Sequence, residues 1–408
     1  MMGSMLRERV FLGGQAVSMF GDGLALLAVP LLVLQLTRSP LAAALASLPG
    51  SLGYLVAGLP AGVLADRLDP WTILISGDVF RALIFLVLFV LTGSPSVSPA
   101  TILALAFAAG TVTVFFDTAL SIAVRDVFRG ARLISANSWL ESSNQAGQVI
   151  GPGAAGLLAA AGLLHVSMLI DALTFLVSLA SLAGVRRRHL AAPAATWRAL
   201  LRELAEGIRY LAATRLLFTL LVFLLVVNLG LGADKLIIFL ASDTLHLPPG
   251  QVGLVVSAGG VGGLLGAAST GPLCRWLGPL PVITLCCAAS GLALLLISAA
   301  TSMPVALAGN LLYGWAIIAA SVTNRSLRQV LVPRELLGRV TASWRFGGQA
   351  TTLIGGVLAG ALAGLLGGNP RPVFAAAGGL TLLTVAVAWF AGLQKEDGPR
   401  LAVSLSGK

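Results

Sequence analysis

"QAVSMFGDGLALLAVPLLVLQL" runs from Gln15 to Leu36, long enough to cross a bilayer as one helix. A helix at a soluble surface alternates apolar and polar residues with a period near 3.6. This stretch is apolar all round, so it requires lipid or protein on every side. Asp22 interrupts it near the middle, where a carboxylate costs about 2.5–3.5 kcal/mol on insertion scales. The rest of the chain agrees with a membrane reading. Of 408 residues, 57% are hydrophobic and 10% charged, against about 25% charged in soluble domains. So few charges cannot build a soluble surface, and the sequence implies a polytopic, all-α membrane protein.

Lys and Arg number 26 against 16 Asp and Glu. The excess is assigned to cytoplasmic loops, which are rich in Lys and Arg, and not to nucleic acid, because no basic stripe with aromatics and no zinc-finger spacing accompanies it. Cys274, Cys286 and Cys287 are odd in number, two of them adjacent in an apolar run; they read as small apolar filler, with no disulfide framework. No metal site is expected, and no cofactor. The opening "MMGSML" is set aside, and no cleavable leader is expected.

Twelve stretches are candidate spans: 11–36, 41–65, 71–92, 99–123, 136–160, 164–185, 214–240, 250–271, 279–300, 304–327, 336–366 and 371–393. The longest polar stretch, "VRRRHLAAPAATWRALLRELAEGIRYLAAT", separates six from six. The expected organisation is therefore a six-helix bundle over 1–185, a cytoplasmic linker over 186–213 and a second bundle with a short tail over 214–408. Within the linker, Trp197 to Leu211 has the spacing of an amphipathic helix lying on the membrane surface. With the N-terminus inside, Arg38 and Arg371 are the basic residues of the outer loops and Lys235 falls within a span; the remainder lie in or near inner segments. Both termini are then cytoplasmic.

The halves repeat. "SIAVRDVFRGARLISANSW" (121–139) aligns with "SLRQVLVPRELLGRVTASW" (326–344) at an offset of 205 residues, Ser121 on Ser326, Arg129 on Arg334 and Trp139 on Trp344. An offset near half the chain fits parallel repeats about an axis along the membrane normal.

The inner loop "GVLADRLDPW", with Gly62, Asp66 and Arg67, resembles the Gly-x-x-x-Asp-Arg signature of the major facilitator superfamily. The basic residues that usually follow are replaced by Asp69, Pro70 and Trp71, and the counterpart "GPLCRWLG" keeps little beyond Arg275. In "NQAGQVIGPGAAG", Gly147, Gly151, Pro152 and Gly156 resemble a motif of its drug/proton antiporter branch. With "GDVFRAL", "ANSWLESSNQAGQVIGP" and "GRVTAS", the chain is similar to bacterial macrolide-efflux and siderophore-export proteins. The resemblance implies twelve helices in two pseudo-symmetric bundles that rock about a central site. It implies that the first span lines that site, and that Asp66 caps the helix beginning near Glu335–Arg339 as an inner gate. From residue types alone, the same glycines are sites of close helix packing, Pro152 removes a backbone hydrogen bond, and Asp66 with Arg67 is a solvated loop.

Charges inside spans are the candidate functional residues. Asp22 reads as a carrier of a proton or cation, its side chain left accessible by Gly21 and Gly23, or alternatively as glue to a neighbouring helix. Asp78 and Arg81, three apart, can pair; with Asp117 and Glu141 they are expected to form an inner-side cluster. Glu141 is the second candidate for proton coupling, and Arg345 a counter-charge. Asp234 and Lys235, adjacent and so pointing apart on a helix, are not expected to pair; Lys235 either faces the cavity or snorkels outward. Asp171 receives only a polar-packing role. Asn228, Gln145, Asn144 and Gln148 are candidate hydrogen-bonders. No Gly-x-x-x-x-Gly-Lys-Ser/Thr loop is present for ATP, and His165, His189 and His246 lie in loops or at span ends, so an enzyme is not expected. The expected function is proton-driven export of an amphipathic small molecule by a monomer in the bacterial inner membrane. The alternatives are an uptake symporter, a lysolipid flippase or a non-transporting sensor.

Overall fold

The computed structural model describes residues 2–93, 97–128, 131–182 and 197–391. The helices are α1 (Met2–Thr37), α2 (Pro40–Ala46), α3 (Pro49–Arg67), α4 (Pro70–Thr92), α5 (Pro99–Val127), α6 (Ala131–Ala160), α7 (Val166–Leu182), α8 (Trp197–Ala213), α9 (Arg215–Leu231), α10 (Ile237–Phe239), α11 (Pro249–Leu277), α12 (Pro279–Ser298), α13 (Met303–Leu331), α14 (Arg334–Leu365) and α15 (Arg371–Phe390). Proline stands in the first turn of α2, α3, α4, α5, α12, α13 and α15, where its missing N–H has no intrahelical partner to lose.

Among the described residues, nine helices are long and apolar enough to cross a membrane, and a tenth span arises if α2 and the first half of α3, bent by 52°, count as one. Helix α7 is apolar but short. Helix α6 is long enough yet falls outside this set, because Glu141, Asn144, Gln145 and Gln148 make one of its faces polar.

Two compact units form, Met1–Leu200 with Pro248–Ser257, and Leu201–Leu247 with Ala258–Lys408. In the first, α1 packs on α6 and α7, α4 on α7 and α5, and α3 on α5. Backbone approaches too close for any side chain determine these seams. The position a Cβ would take at Gly23 is filled by the Gly147 backbone, that at Gly151 by Gly23, and that at Gly110 by Pro49. The early turns of α11 pack in the same unit, Gly253 against Pro152 and Gly156. The residues that replace the expected basic run have a local role. Asp69 caps α4 by accepting from the Trp71 amide (3.3 Å), Pro70 opens the helix, and Trp71 is fully buried beside Phe11.

In the second unit α12 packs on α13 and α15, and α9 on α14 and α15. The seventh span is not a uniform α-helix. A 3₁₀ turn, Gly232–Leu236, follows α9, and a π turn, Leu240–Thr244, follows α10. The span stays helical but changes type along Arg215–Thr244, and Gly232 lies directly on Gly355 of α14; such local 3₁₀ and π adjustments are tolerated inside spans. Helix α8 forms as the amphipathic pattern requires and is tied to α14 by Glu206 and Arg339 at 2.6 Å.

Candidate functional site

Three helices of the first unit bring four charges together in its interior. Helix α4 carries Asp78 and Arg81, one turn apart and both sealed, 0% and 2% exposed. Arg81 Nη2 donates to Asp78 Oδ1 at 2.6 Å. The guanidinium is sandwiched by the rings of Phe116 (3.8 Å) and Phe175 (4.3 Å), which favour a desolvated cation. The other oxygen of Asp78 accepts from Ser178 (2.7 Å), and Ser178 accepts from Gln15 Nε2 (2.9 Å). A chain of hydrogen bonds thus runs from α1 through α7 to α4. Both oxygens of Asp78 are met in this way, as a buried ion pair requires, while Arg81 Nε is sealed without a partner.

The third charge is Asp171 on α7, wholly buried. Its Oδ1 accepts from Thr174 at 3.2 Å, while Oδ2 is sealed without a partner. The fourth is Asp22 on α1, half-buried. The charges of Asp22, Asp78, Asp171 and Arg81 act on one another: Asp22 is attracted by Arg81 and repelled by Asp78 and Asp171. The first unit therefore holds three carboxylates around one guanidinium.

Several expectations are corrected. Gly21 and Gly23 are not the source of the exposure that Asp22 keeps. The space beside Gly21 is taken by Asp171 and Thr174, and that beside Gly23 by Gly147, so these glycines bring α7 and α6 onto α1. Of the expected inner cluster, Asp78 and Arg81 are sealed, whereas Asp117 and Glu141 are exposed. Glu141 accepts from Gln145 (3.1 Å), and Asn144 from Gln148 (2.7 Å), along one face of α6. Asp234 and Lys235 do pair, at 3.4 Å: the long flexible stem of the lysine carries its ammonium back to the neighbouring carboxylate. Tyr313 donates to the Leu231 carbonyl beside this turn (3.2 Å). Asn228 is half-buried and faces Gly348, and Arg345 is exposed on α14.

Gly147 and Gly151 pack on α1, and Gly156 on the start of α11. Nothing lies within 4 Å of the Cβ position at Gly62. The side chains of Asp66, Arg67 and Glu335, and all of Arg129 and His189, lie outside the described residues. Sequence reasoning undervalued Asp171. The available signal was a carboxylate at mid-helix in an apolar span, the same one that singled out Asp22.

The second unit differs. Arg328, near the end of α13, is 8% exposed, and its Nε and Nη1 are sealed without partners. It lies over the Trp344 ring at 4.5 Å. One turn earlier, Asn324 Oδ1 is also unpartnered. Cys274 meets Thr323 across the same region at 3.6 Å.

Apolar helices in this number, carrying charges that no soluble core would hold, define a multi-pass membrane protein. The chain belongs to the Major Facilitator Superfamily, whose family profile matches residues 11–342 and 229–405; it is a transporter and not an enzyme. It is 28% identical over 356 residues to the multidrug efflux pump Tap of Mycolicibacterium fortuitum, covering 85% of this chain and 87% of that one. It is 27% identical over 378 residues to the enterobactin exporter EntS of Shigella flexneri, covering 91% and 88%. Among solved structures, a bacterial homologue of the iron transporter ferroportin matches with a TM-score of 0.70 at 19% identity, over 99% of each chain, which is a likeness of fold.

Proposed function

We propose that this transporter is a proton-coupled exporter that moves an amphipathic small molecule, of the drug, macrolide-like or siderophore kind, out across the bacterial inner membrane by alternating access. The observation that carries the reading is the group of three carboxylates around Arg81 inside the first unit. Ionisable groups at membrane depth are costly and are kept where protons or ions move. Export is supported by the relatives, one a multidrug efflux pump and another an enterobactin exporter.

Asp22, the member of the group that keeps exposure, exchanges the proton. The polar face of α6, with Glu141 and Gln145, lines the aqueous route, because a polar helix face is unstable against lipid. Asp117, Asn228, Lys235 and Arg345 supply polar contacts to the cargo. Asp78 and Arg81 hold the arrangement that changes between states, and Gly62, Asp66 and Arg67 serve the inner gate. The protein works as a monomer of twelve spans, with α2 and α3 forming the second, α6 the fifth and α7 the sixth. Both termini and the amphipathic α8 lie on the cytoplasmic side.

Everted membrane vesicles energised by respiration test this. Accumulation of ethidium or of a catecholate siderophore, with proton efflux measured in parallel, is the expected result, and Asp22→Asn removes both. Proton-independent accumulation, or an Asp22→Asn protein that behaves as wild type, sinks the coupling. Movement of every probe in the opposite sense sinks export.

A further inference from the structure

Asp78 and Arg81 neutralise one another, and every oxygen of Asp78 is engaged. That leaves two carboxylates, Asp22 and Asp171, without a cation of their own. They stand on neighbouring helices pressed into contact, since the oxygens of Asp171 and Thr174 occupy the space beside Gly21, the residue before Asp22. One oxygen of Asp171 is satisfied by Thr174, whereas Oδ2 is sealed from solvent with nothing to accept from. An ionised oxygen in that position lacks both water and donor, which is the most costly setting for a carboxylate. Two close carboxylates away from water do not both stay ionised.

We infer that Asp22 and Asp171 form a single proton-binding dyad, in which the sealed oxygen of Asp171 is the proton's resting place and the half-exposed Asp22 is the port through which it exchanges with water. This deepens the exporter reading and rests on it for direction. The step is a transfer from hydronium to a carboxylate oxygen: one O–H bond forms, water leaves, and the reverse step returns the proton on the other side. The groups facing the dyad are Gln15 on α1, Asp78 and Arg81 on α4, and Thr174 and Ser178 on α7. Helix α5 presents the Phe116 ring to Arg81, and α6 presents the backbones of Gly147 and Gly151 to α1. The dyad consequently titrates as a unit with two macroscopic steps.

Infrared difference spectra of the purified full-length protein in liposomes, taken during a pH titration, read the carbonyl stretch of a protonated carboxyl directly and need no cargo. A band present at neutral pH in the wild type and lost in Asp171→Asn is expected. In Asp22→Asn the band persists, but its titration collapses from two steps to one. A spectrum unchanged by Asp171→Asn, or a wild-type titration in one step, overturns the dyad. If Asp171→Asn does not fold, the Asp22→Asn titration decides alone. A second arm drives ethidium transport in the same liposomes with a pH gradient. Asp171→Asn is expected to lose gradient-driven accumulation while retaining ethidium exchange at equal pH, and loss of both overturns the assignment. Should the wild type move no probe while the two-step band is present, the exporter reading fails and the dyad stands.

Discussion

Arg81 and Arg328 are both buried guanidiniums stacked on aromatic rings, yet they are held by opposite means. Arg81 has a carboxylate at 2.6 Å and two further carboxylates nearby, with its Nε alone left unpartnered. Arg328 has the Trp344 face and two nitrogens without partners. It stands in the last turn of α13, where the helix dipole favours a cation. Where α4 of the first unit carries its ion pair, α12 of the second, which also opens on a proline, carries buried Cys286, Cys287 and Ser290. The repeat in sequence thus extends to helices and loops but not to interior charge. Among the described residues, the first unit buries its cation beside carboxylates, and the second buries Arg328 with two nitrogens unpartnered.

Variants can break this contrast, beginning with the largest effect. Arg81→Met leaves Asp78 buried and unpaired and is expected to destabilise by about 3–5 kcal/mol, read as a fall in the melting temperature of the purified protein. The double change Asp78→Leu with Arg81→Met recovers most of that loss. Gly23→Leu drives a side chain into the Gly147 and Gly151 backbones; overpacking costs roughly 1–3 kcal/mol or more, and lower yield of folded protein is the readout. Ser178→Ala removes one hydrogen bond to Asp78 and is expected to cost about 1–3 kcal/mol, since a buried acceptor is left bare. Arg328→Met is the sharpest comparison with Arg81→Met. It removes a charge with no acid to strand, and the expected change is neutral or stabilising, because exchanging buried charge for apolar volume often is. A melt as depressed as that of Arg81→Met would show that Arg328 has an acidic partner. The smallest effect is Asp234→Asn, within about 1 kcal/mol, because the pair with Lys235 is part-exposed at a long 3.4 Å.

Much of the architecture was legible before any coordinates. Apolar runs and proline starts mark α4, α5, α12, α13 and α15 because hydropathy and capping are properties of consecutive residues. Asp78 and Arg81 were readable as a pair for the same reason, being one helical turn apart. The α6 glycines were read as packing sites, and they are. Other readings failed where the deciding contact was remote. The glycines beside Asp22 looked like openings until α6 and α7 were seen to fill them. That Asp117 and Glu141 are exposed while Asp78 and Arg81 are sealed was not legible, because depth along a helix is readable, whereas the direction a helix face points is not. Lys235 and Asp234 looked separated because adjacent helix positions point apart, whereas the long lysine stem spans that angle.

The sequence by itself determined a helical membrane protein, since residues that must avoid water do so wherever the chain places them, and its motifs carried the resemblance to the major facilitator superfamily. Only tertiary structure decided that Asp22, Asp78, Arg81 and Asp171 belong to one group. They lie on α1, α4 and α7, and close approaches such as that of the Asp171 and Thr174 side chains of α7 to Gly21 of α1 orient these helices. A side chain's electrostatic partner depends on that orientation, which no local pattern encodes.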